Sequence, residues 1–316
     1  MSNPKKSHNK FSLLISFALA LLILIFFIHH HQRVMDIFFK LRPGWLLVGF
    51  FSYLLNYMFR ASRLKGMIGR KNIKYRDAFN YASTHGVFSY FLPLRSGDVS
   101  LPVMLKASGL ADFKRGVGIL FKTRLLDIAA LGMFSLIASY FGARMIPVSV
   151  QFIWGIAAAG MTSLFFLIGL MDKIALLLPK RFSFSDTKSP DFFLIRPYEF
   201  YLTLLIWTSL FLSQFCMIRS IGLDLSVSEV LFILTIQFPM QLIPIQGFAN
   251  SGNHEGGWVA ALVLMGFSAS DAMAKALASH CVLIVYVLGL GLVGILFAKS
   301  IGSAIGTLFK SIRLWR

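Results

Sequence analysis

Phe91-Leu92-Pro93-Leu94-Arg95-Ser96-Gly97-Asp98 breaks an otherwise apolar stretch that runs from Asp77 to Leu110. Proline removes a backbone donor and glycine permits non-helical backbone. The flanking residues therefore read as two short arms, not as one span. A second break runs from Pro239 through Pro244 to Gly257, inside Glu229–Gly266. Each arm has about 10–16 residues, short of the ~20 needed to cross a bilayer core. The pattern predicts two re-entrant hairpins, each a pair of half-helices meeting at a polar turn. Such backbone is tolerated at membrane depth only where protein or a watery cavity covers it.

Composition agrees with a membrane setting. Of 316 residues 57% are hydrophobic and 14% are charged, against about a quarter charged in soluble domains. Mean hydropathy is +0.72. Full spans are expected at Phe11–Ile28, Trp45–Ala61, Gly116–Phe141, Val150–Met171, Phe200–Ile221 and Met273–Ala298. The fold class is thus all-α, a polytopic membrane protein with about six full spans plus two re-entrant hairpins. His29-His30-His31-Gln32-Arg33 follows the first run where a small-residue cleavage site would stand, so a retained helix is expected. The histidines read as a polar membrane-edge segment rather than a metal site. Cys216 and Cys281 lie inside apolar runs and do not suggest a disulfide.

The 31 Lys+Arg against 13 Asp+Glu give a net charge of +18. The basic residues sit mostly between apolar runs, which argues for cytoplasmic loops and not for nucleic acid. Arg60, Arg63, Lys65, Arg70, Lys71, Lys74 and Arg76 read as one basic loop, and residues 173–196 as another. Lys299–Arg316 reads as a basic amphipathic tail. The positive-inside bias places the N-terminus and C-terminus in the cytoplasm, in the cell's cytoplasmic membrane.

The two breaks share their spacing. Eleven residues separate Asp98 from Gly109, and eleven separate Glu255 from Gly266. Arg124 follows Asp98 by 26 residues and His280 follows Glu255 by 25. Three spans lie between the copies, an odd number that inverts the second. The chain reads as a single domain over residues 1–316. Repeat one covers about 44–141, a linking span 150–171, repeat two about 199–298, and the tail 299–316. Inverted repeats with broken helices are a transporter architecture with the site near the midplane. The alternative is a scaffold carrying an old duplication.

Intramembrane charges mark the candidate site. Arg124 and Asp127 share a helical face and are expected to pair with each other, or with Asp98 or Glu255. Arg95, Asp98 and Glu255 belong to the turns. Lys122 is expected to snorkel to the cytoplasmic edge. His280 reads as a proton-linked group or as a satisfied buried histidine. Gln237, Gln241 and Gln246 are candidates for lining the second hairpin, and Asn56 and Arg60 share a face that joins the cavity. Ser96, Asp98 or Ser100, and Asn250, Ser251 or Asn253, are candidate N-caps of the half-helices. A helix start of this kind either holds a lipid phosphate or only completes a buried turn. No hydrolase elbow, phosphate-binding glycine loop or zinc motif is present, so no enzyme activity and no cofactor is expected.

The first turn followed by Arg124-Leu125-Leu126-Asp127, and the second from Pro244 through Gly252-Asn253-His254-Glu255 to Gly266-Phe267-Ser268, resemble the membrane region of lysylphosphatidylglycerol synthases. The resemblance covers about Trp45 to Ala298. It implies a flippase-like module, since in bifunctional members this region moves an aminoacylated phospholipid between leaflets. Relatives without the synthase domain occur beside glycosyltransferases and isoprenoid-lipid pathways. By position, Arg95, Asp98, Arg124, Asp127 and Glu255 would line the headgroup path; from the residues alone, His280, Asn253 and Arg60 are further candidates for the same path. The chain departs from the pattern at Asp98, where Glu is usual, and at His280, where Arg is common. No soluble aminoacyl-transfer domain is evident, so synthesis of the aminoacyl lipid is not expected.

The expected function is translocation of a lipid whose headgroup crosses a polar cavity between the hairpins. Candidate lipids are an anionic or aminoacylated phospholipid, or a polyprenyl-phosphate lipid. The alternative is a non-transporting subunit that presents a lipid to a glycosyltransferase or lipid-synthase partner. A membrane-embedded lipid-modifying enzyme ranks below both.

Overall fold

The computed structural model describes residues 18, 21, 24–29, 31–69, 73–177, 195–243 and 246–297. Pro244, most of the 173–196 loop, most of the first expected span and the tail 299–316 lie outside the described residues. Among the described residues every regular element is a helix. Helix α1 covers 24–29 and 31–39. It is followed by α2 (Pro43–Ile68), α3 (Tyr75–Phe91), α4 (Ser100–Ala107), α5 (Phe113–Phe141) and α6 (Val148–Leu177). The second half holds α7 (Pro197–Ser220), α8 (Val227–Leu242), α9 (Asn253–Leu264) and α10 (Ala269–Phe297). Short 3-10 turns at Pro93–Val99 and Phe248–Asn250 join α3 to α4 and α8 to α9.

Local chemistry sets the boundaries. Pro43 opens α2 at a position whose N–H has no helical partner, and Gly69 closes it in the left-handed conformation. Asp112 caps α5 by accepting from the Arg115 N–H at 2.6 Å. Ser226 and Glu229 form a reciprocal capping box on α8. The helix α2 runs past Ala61 to Ile68, so Arg60, Arg63 and Lys65 are helical and not part of a loop. This corrects the expected basic loop. Asn56, Arg60 and Arg63 recur every three to four residues, so they share one face and turn inward together.

Among the described residues three helices are long and apolar enough to cross a membrane: Val148–Ile168, Pro197–Ser220 and Ala269–Phe297. At 26 and 29 residues α2 and α5 match them in length, but both carry charges. Those charges face inward: Arg63, Lys122 and Asp127 are buried. The outward faces are apolar, with Phe51, Ile153, Phe166, Val285 and Leu292 exposed. An apolar exterior over a polar interior suits lipid as solvent. The chain is an all-α, multi-pass membrane protein.

Packing partners recur across the two halves. The helix α2 packs along α7; α3 packs on α10 and α8 on α5; α4 packs on α5 and α9 on α10. The helix α6 packs on α5. The two turns meet. The Leu94 N–H donates to the Gln246 carbonyl at 3.0 Å, and the Gln246 amide donates to the Leu92 and Ser89 carbonyls at 3.0 and 3.3 Å.

Candidate functional site

Leu94, Arg95, Ala249 and Asn250 are the non-glycine residues with positive φ among those described, and all four lie in the two turns. Each such residue costs about 1–3 kcal/mol and persists only where its surroundings impose it. In the first turn the backbone bends Arg95 back over Asp98. The Arg95 Nε and Nη2 donate to Asp98 Oδ2 at 2.9 and 2.8 Å. Arg124, from α5, donates to the other oxygen at 3.0 Å. Asp98 therefore bridges two arginines and does not cap α4. The N-cap position of that helix is Val99, which offers no side-chain cap, while Ser96 donates to the Pro93 carbonyl. The expected N-caps of the first half-helix are corrected accordingly.

The second turn repeats the acid–base arrangement. Glu255 is bonded to His280 Nδ1, and His280 Nε2 to the Ala249 carbonyl at 2.7 Å. Glu255 Oε2 accepts the Gly252 N–H at 2.8 Å and closes the start of α9. Ser251 and Asn253, offered as caps, instead donate to the Phe248 and Ile243 carbonyls, and Asn253 thereby ties the two arms of the hairpin. Asn250 lines the cavity described next.

Beside the two turns, α2, α3, α5, α7 and α8 line a cavity of about 200 Å³. Arg60, Arg63, Arg95, Arg124, Asp127, Asn56, Gln237, Gln241 and Gln246 all line it. The lining does not include Asp98, Glu255, His280 or Asn253. Asp98 stands behind Arg95 and Arg124, and His280 is edge-on to the lining residue Tyr90, with ring centroids 6.1 Å apart. Four guanidinium groups line the cavity, and among the described residues their carboxylate partners are Asp98 and Asp127. The cavity thus carries two positive charges in excess. Buried polar atoms of Tyr90, Arg124, Trp207, Gln214 and Asn250, all lining residues, have no intramolecular hydrogen bond. Buried polar groups are ordinarily satisfied, so this clustering marks a place for polar matter from outside the chain.

Two expectations change. Asp127 pairs with Arg63 at 2.8 Å and more weakly with Arg60 at 3.4 Å. Arg124, three residues away, bonds Asp98, one of the partners expected for it. Lys122 does not snorkel: it is buried against Glu199 at 2.7 Å, on α7. The pairing is physical necessity, because a lone buried charge is costly and a partner on the adjacent helix removes most of that cost. Arg63, His85 and His254 were not foreseen. His85 lines the cavity and bonds Ser100 at 3.0 Å.

The family model described as the lysylphosphatidylglycerol synthase TM region matches residues 12–312. The chain belongs to that family. The match takes in both turns and every charged residue of the cavity, so the lysylphosphatidylglycerol synthase TM region includes the whole site described here. No curated protein matches the chain. Family membership ties the protein to lipid modification or translocation in a membrane.

Proposed function

We propose that this protein moves a lipid headgroup between leaflets through the cavity between its two hairpins. The observation that carries this reading is the unbalanced charge: four arginines share two aspartates inside an apolar bundle. An anionic group, phosphate above all, supplies what is missing. The cavity, about 200 Å³, is small beside the ~300–1,000 Å³ of pockets that enclose a drug-sized molecule. It suits a headgroup whose acyl or prenyl chains stay in the bilayer. A phospholipid, its aminoacyl ester and a polyprenyl phosphate share the required phosphate.

The architecture is read as an inverted repeat, with α2–α5 matching α7–α10. Three parallels support it: the swapped packing of α3 on α10 and α8 on α5, the paired positive-φ residues in both turns, and the bonding of each turn's acid to the basic residue of the following helix. On this reading both hairpins are re-entrant and rocking of the halves alternates access. Both termini face the cytoplasm, on the strength of the basic residues between spans.

Reconstitution in liposomes tests the function. Headgroup-labelled phosphatidylglycerol, lysylphosphatidylglycerol and polyprenyl phosphate are scored for leaflet accessibility with time. Wild-type protein is expected to accelerate at least one of them. Arg60→Gln removes a cavity charge while Asp127 keeps Arg63, so the variant should fold normally and flip the same lipid about tenfold more slowly, the loss of one charge-assisted hydrogen bond. Lipid that co-purifies but is never flipped would replace this reading with the presenting subunit, partnered by a glycosyltransferase or lipid synthase.

A further inference from the structure

Two histidine rings stack in the second hairpin with centroids 4.7 Å apart, and their partners differ in kind. His254 is buried between Gln237 and Ser279, each at 3.0 Å. The Ser279 hydroxyl spends its hydrogen on the Ala276 carbonyl at 2.8 Å, so it accepts from His254 Nε2. The Gln237 amide nitrogen then donates to Nδ1, and the ring is satisfied as a neutral imidazole. His280 meets acceptors on both sides: a backbone carbonyl at Nε2 and the Glu255 carboxylate at Nδ1. Two hydrogens are required for these two bonds, whereas neutral imidazole beside ionised carboxylate supplies one. With that hydrogen on the imidazole, facing the ionised carboxylate, the pair holds one proton and is net neutral.

We infer that Glu255 and His280 form a buried proton-binding site, and that the proton held there fastens the second turn beside the cavity. The bonds run through the turn itself. His280 holds the carbonyl of Ala249, the residue before the cavity-lining Asn250, and Glu255 holds the Gly252 N–H on the other side. Removing the proton leaves either the Ala249 carbonyl or the Glu255–His280 contact without a hydrogen, with a net negative charge in a buried place. The turn, already carrying positive φ at Ala249 and Asn250, then loses the tether that opposes its strain.

The surroundings do not supply a competing fixed charge. The titratable groups in contact with His280 are His254 and Glu255 on α9 and Tyr90 on α3, with Cys281 beside it on α10; elsewhere α3 carries Tyr75, Arg76, Asp77, Tyr81 and His85, of which His85 bonds Ser100. Across the contact between turns are Arg95 and Asp98, which bond each other and Arg124. Along α10, Asp271 and Lys275 lie one turn or more towards the N-terminus. No Lys or Arg ion pair reaches Glu255 among the described residues, so the proton on His280 is its counter-charge. The first turn has Arg124 in the corresponding role, a permanent cation. One half of the molecule is therefore locked by fixed charge and the other by a proton that can leave. For transport, which rests on the lipid-translocation reading above, this makes the second turn the proton-sensitive gate.

The test uses the full chain in lipid nanodiscs with isotopically labelled histidine ring nitrogens, titrated from about pH 5 to about pH 9. His280, assigned by loss of its signals in His280→Arg, is expected to carry two N–H groups at low pH and one at high pH. A spin label at Phe248→Cys should change mobility with the same midpoint. In Glu255→Gln, which keeps shape and folding, His280 should carry one N–H throughout and the label should not respond. A wild-type His280 with one N–H at every pH, or a label indifferent to the titration, overturns the inference. In liposomes with an imposed pH gradient, wild-type flipping should change by up to about tenfold per pH unit, as one titrating site allows, and His280→Arg flipping should not. Flipping that ignores the gradient overturns the inference and leaves lipid translocation standing. No flipping of any lipid, with a normal His280 titration and label response, removes the translocation reading and leaves the proton site.

Discussion

Asp127→Ala is expected to lower the stability of the protein in detergent by about 3–5 kcal/mol, the usual result of stranding one member of a buried ion pair. Asp127 and Arg63 are 1% and 2% exposed and 2.8 Å apart. Arg63 also donates to Thr203 at 2.9 Å, which cannot neutralise it. The guanidinium would remain between α2 and α7 with no carboxylate, and Arg60, which donates to Asn56 at 2.8 Å, would add a second positive charge nearby. The double variant Arg63→Leu, Asp127→Leu removes both charges and should recover most of the loss, because desolvation costs about what the pair returns. Thermal unfolding of the two variants beside wild type decides it. Equal destabilisation would mean that Asp127 is not the partner of Arg63. By contrast, Arg124→Leu combined with Asp127→Leu should compensate for nothing, since those residues bond different partners.

The same residues show how far the chain could be read without coordinates. The breaks at both turns were legible because Pro93, Gly97 and Gly252 interrupt apolar runs, and such breaks are local chemistry; Pro239 does not break its helix, since α8 runs through it to Leu242. The similar spacing from acid to base in each half, 26 and 25 residues, was legible too, and both spacings correspond to bonded pairs, Asp98–Arg124 and Glu255–His280. The partner of Asp127 was not. It lies 64 residues away on α2, in a run of basic residues that resembles a loop when charge is counted without helical phase. The three- and four-residue steps from Asn56 to Arg60 to Arg63 carried the missing signal. Lys122 was misread for a related reason. Nothing near it in sequence announces Glu199 on α7, and only packing of α5 against α7 joins them. Capping at the turns failed as a prediction because Asp98 and Asn253 had tertiary partners that outcompete a local N–H.

Gly97→Ala should be the most damaging single change in the first hairpin. A Cβ there would sit 2.0 Å from the Phe88 carbonyl oxygen, 2.2 Å from its carbon and 2.5 Å from the Ser89 nitrogen. All three are backbone atoms near the end of α3, so no side chain can rotate away. Ordinary overpacking costs about 1–3 kcal/mol; here the turn and the helix must separate, and a loss above about 4 kcal/mol is expected. Gly109→Ala is the control. It has nothing within 4 Å but a φ of +65°, so its cost is conformational, about 1–2 kcal/mol. The two glycines therefore separate space from dihedral strain. If the turn approaches α3 as described, Gly97→Ala should melt well below Gly109→Ala, or fail to yield folded protein where Gly109→Ala succeeds. Equal melting would mean that the turn stands off from α3. Arg95 and Asp98 would then not be held over Arg124, and the cavity would lose the wall that gives it an excess of positive charge.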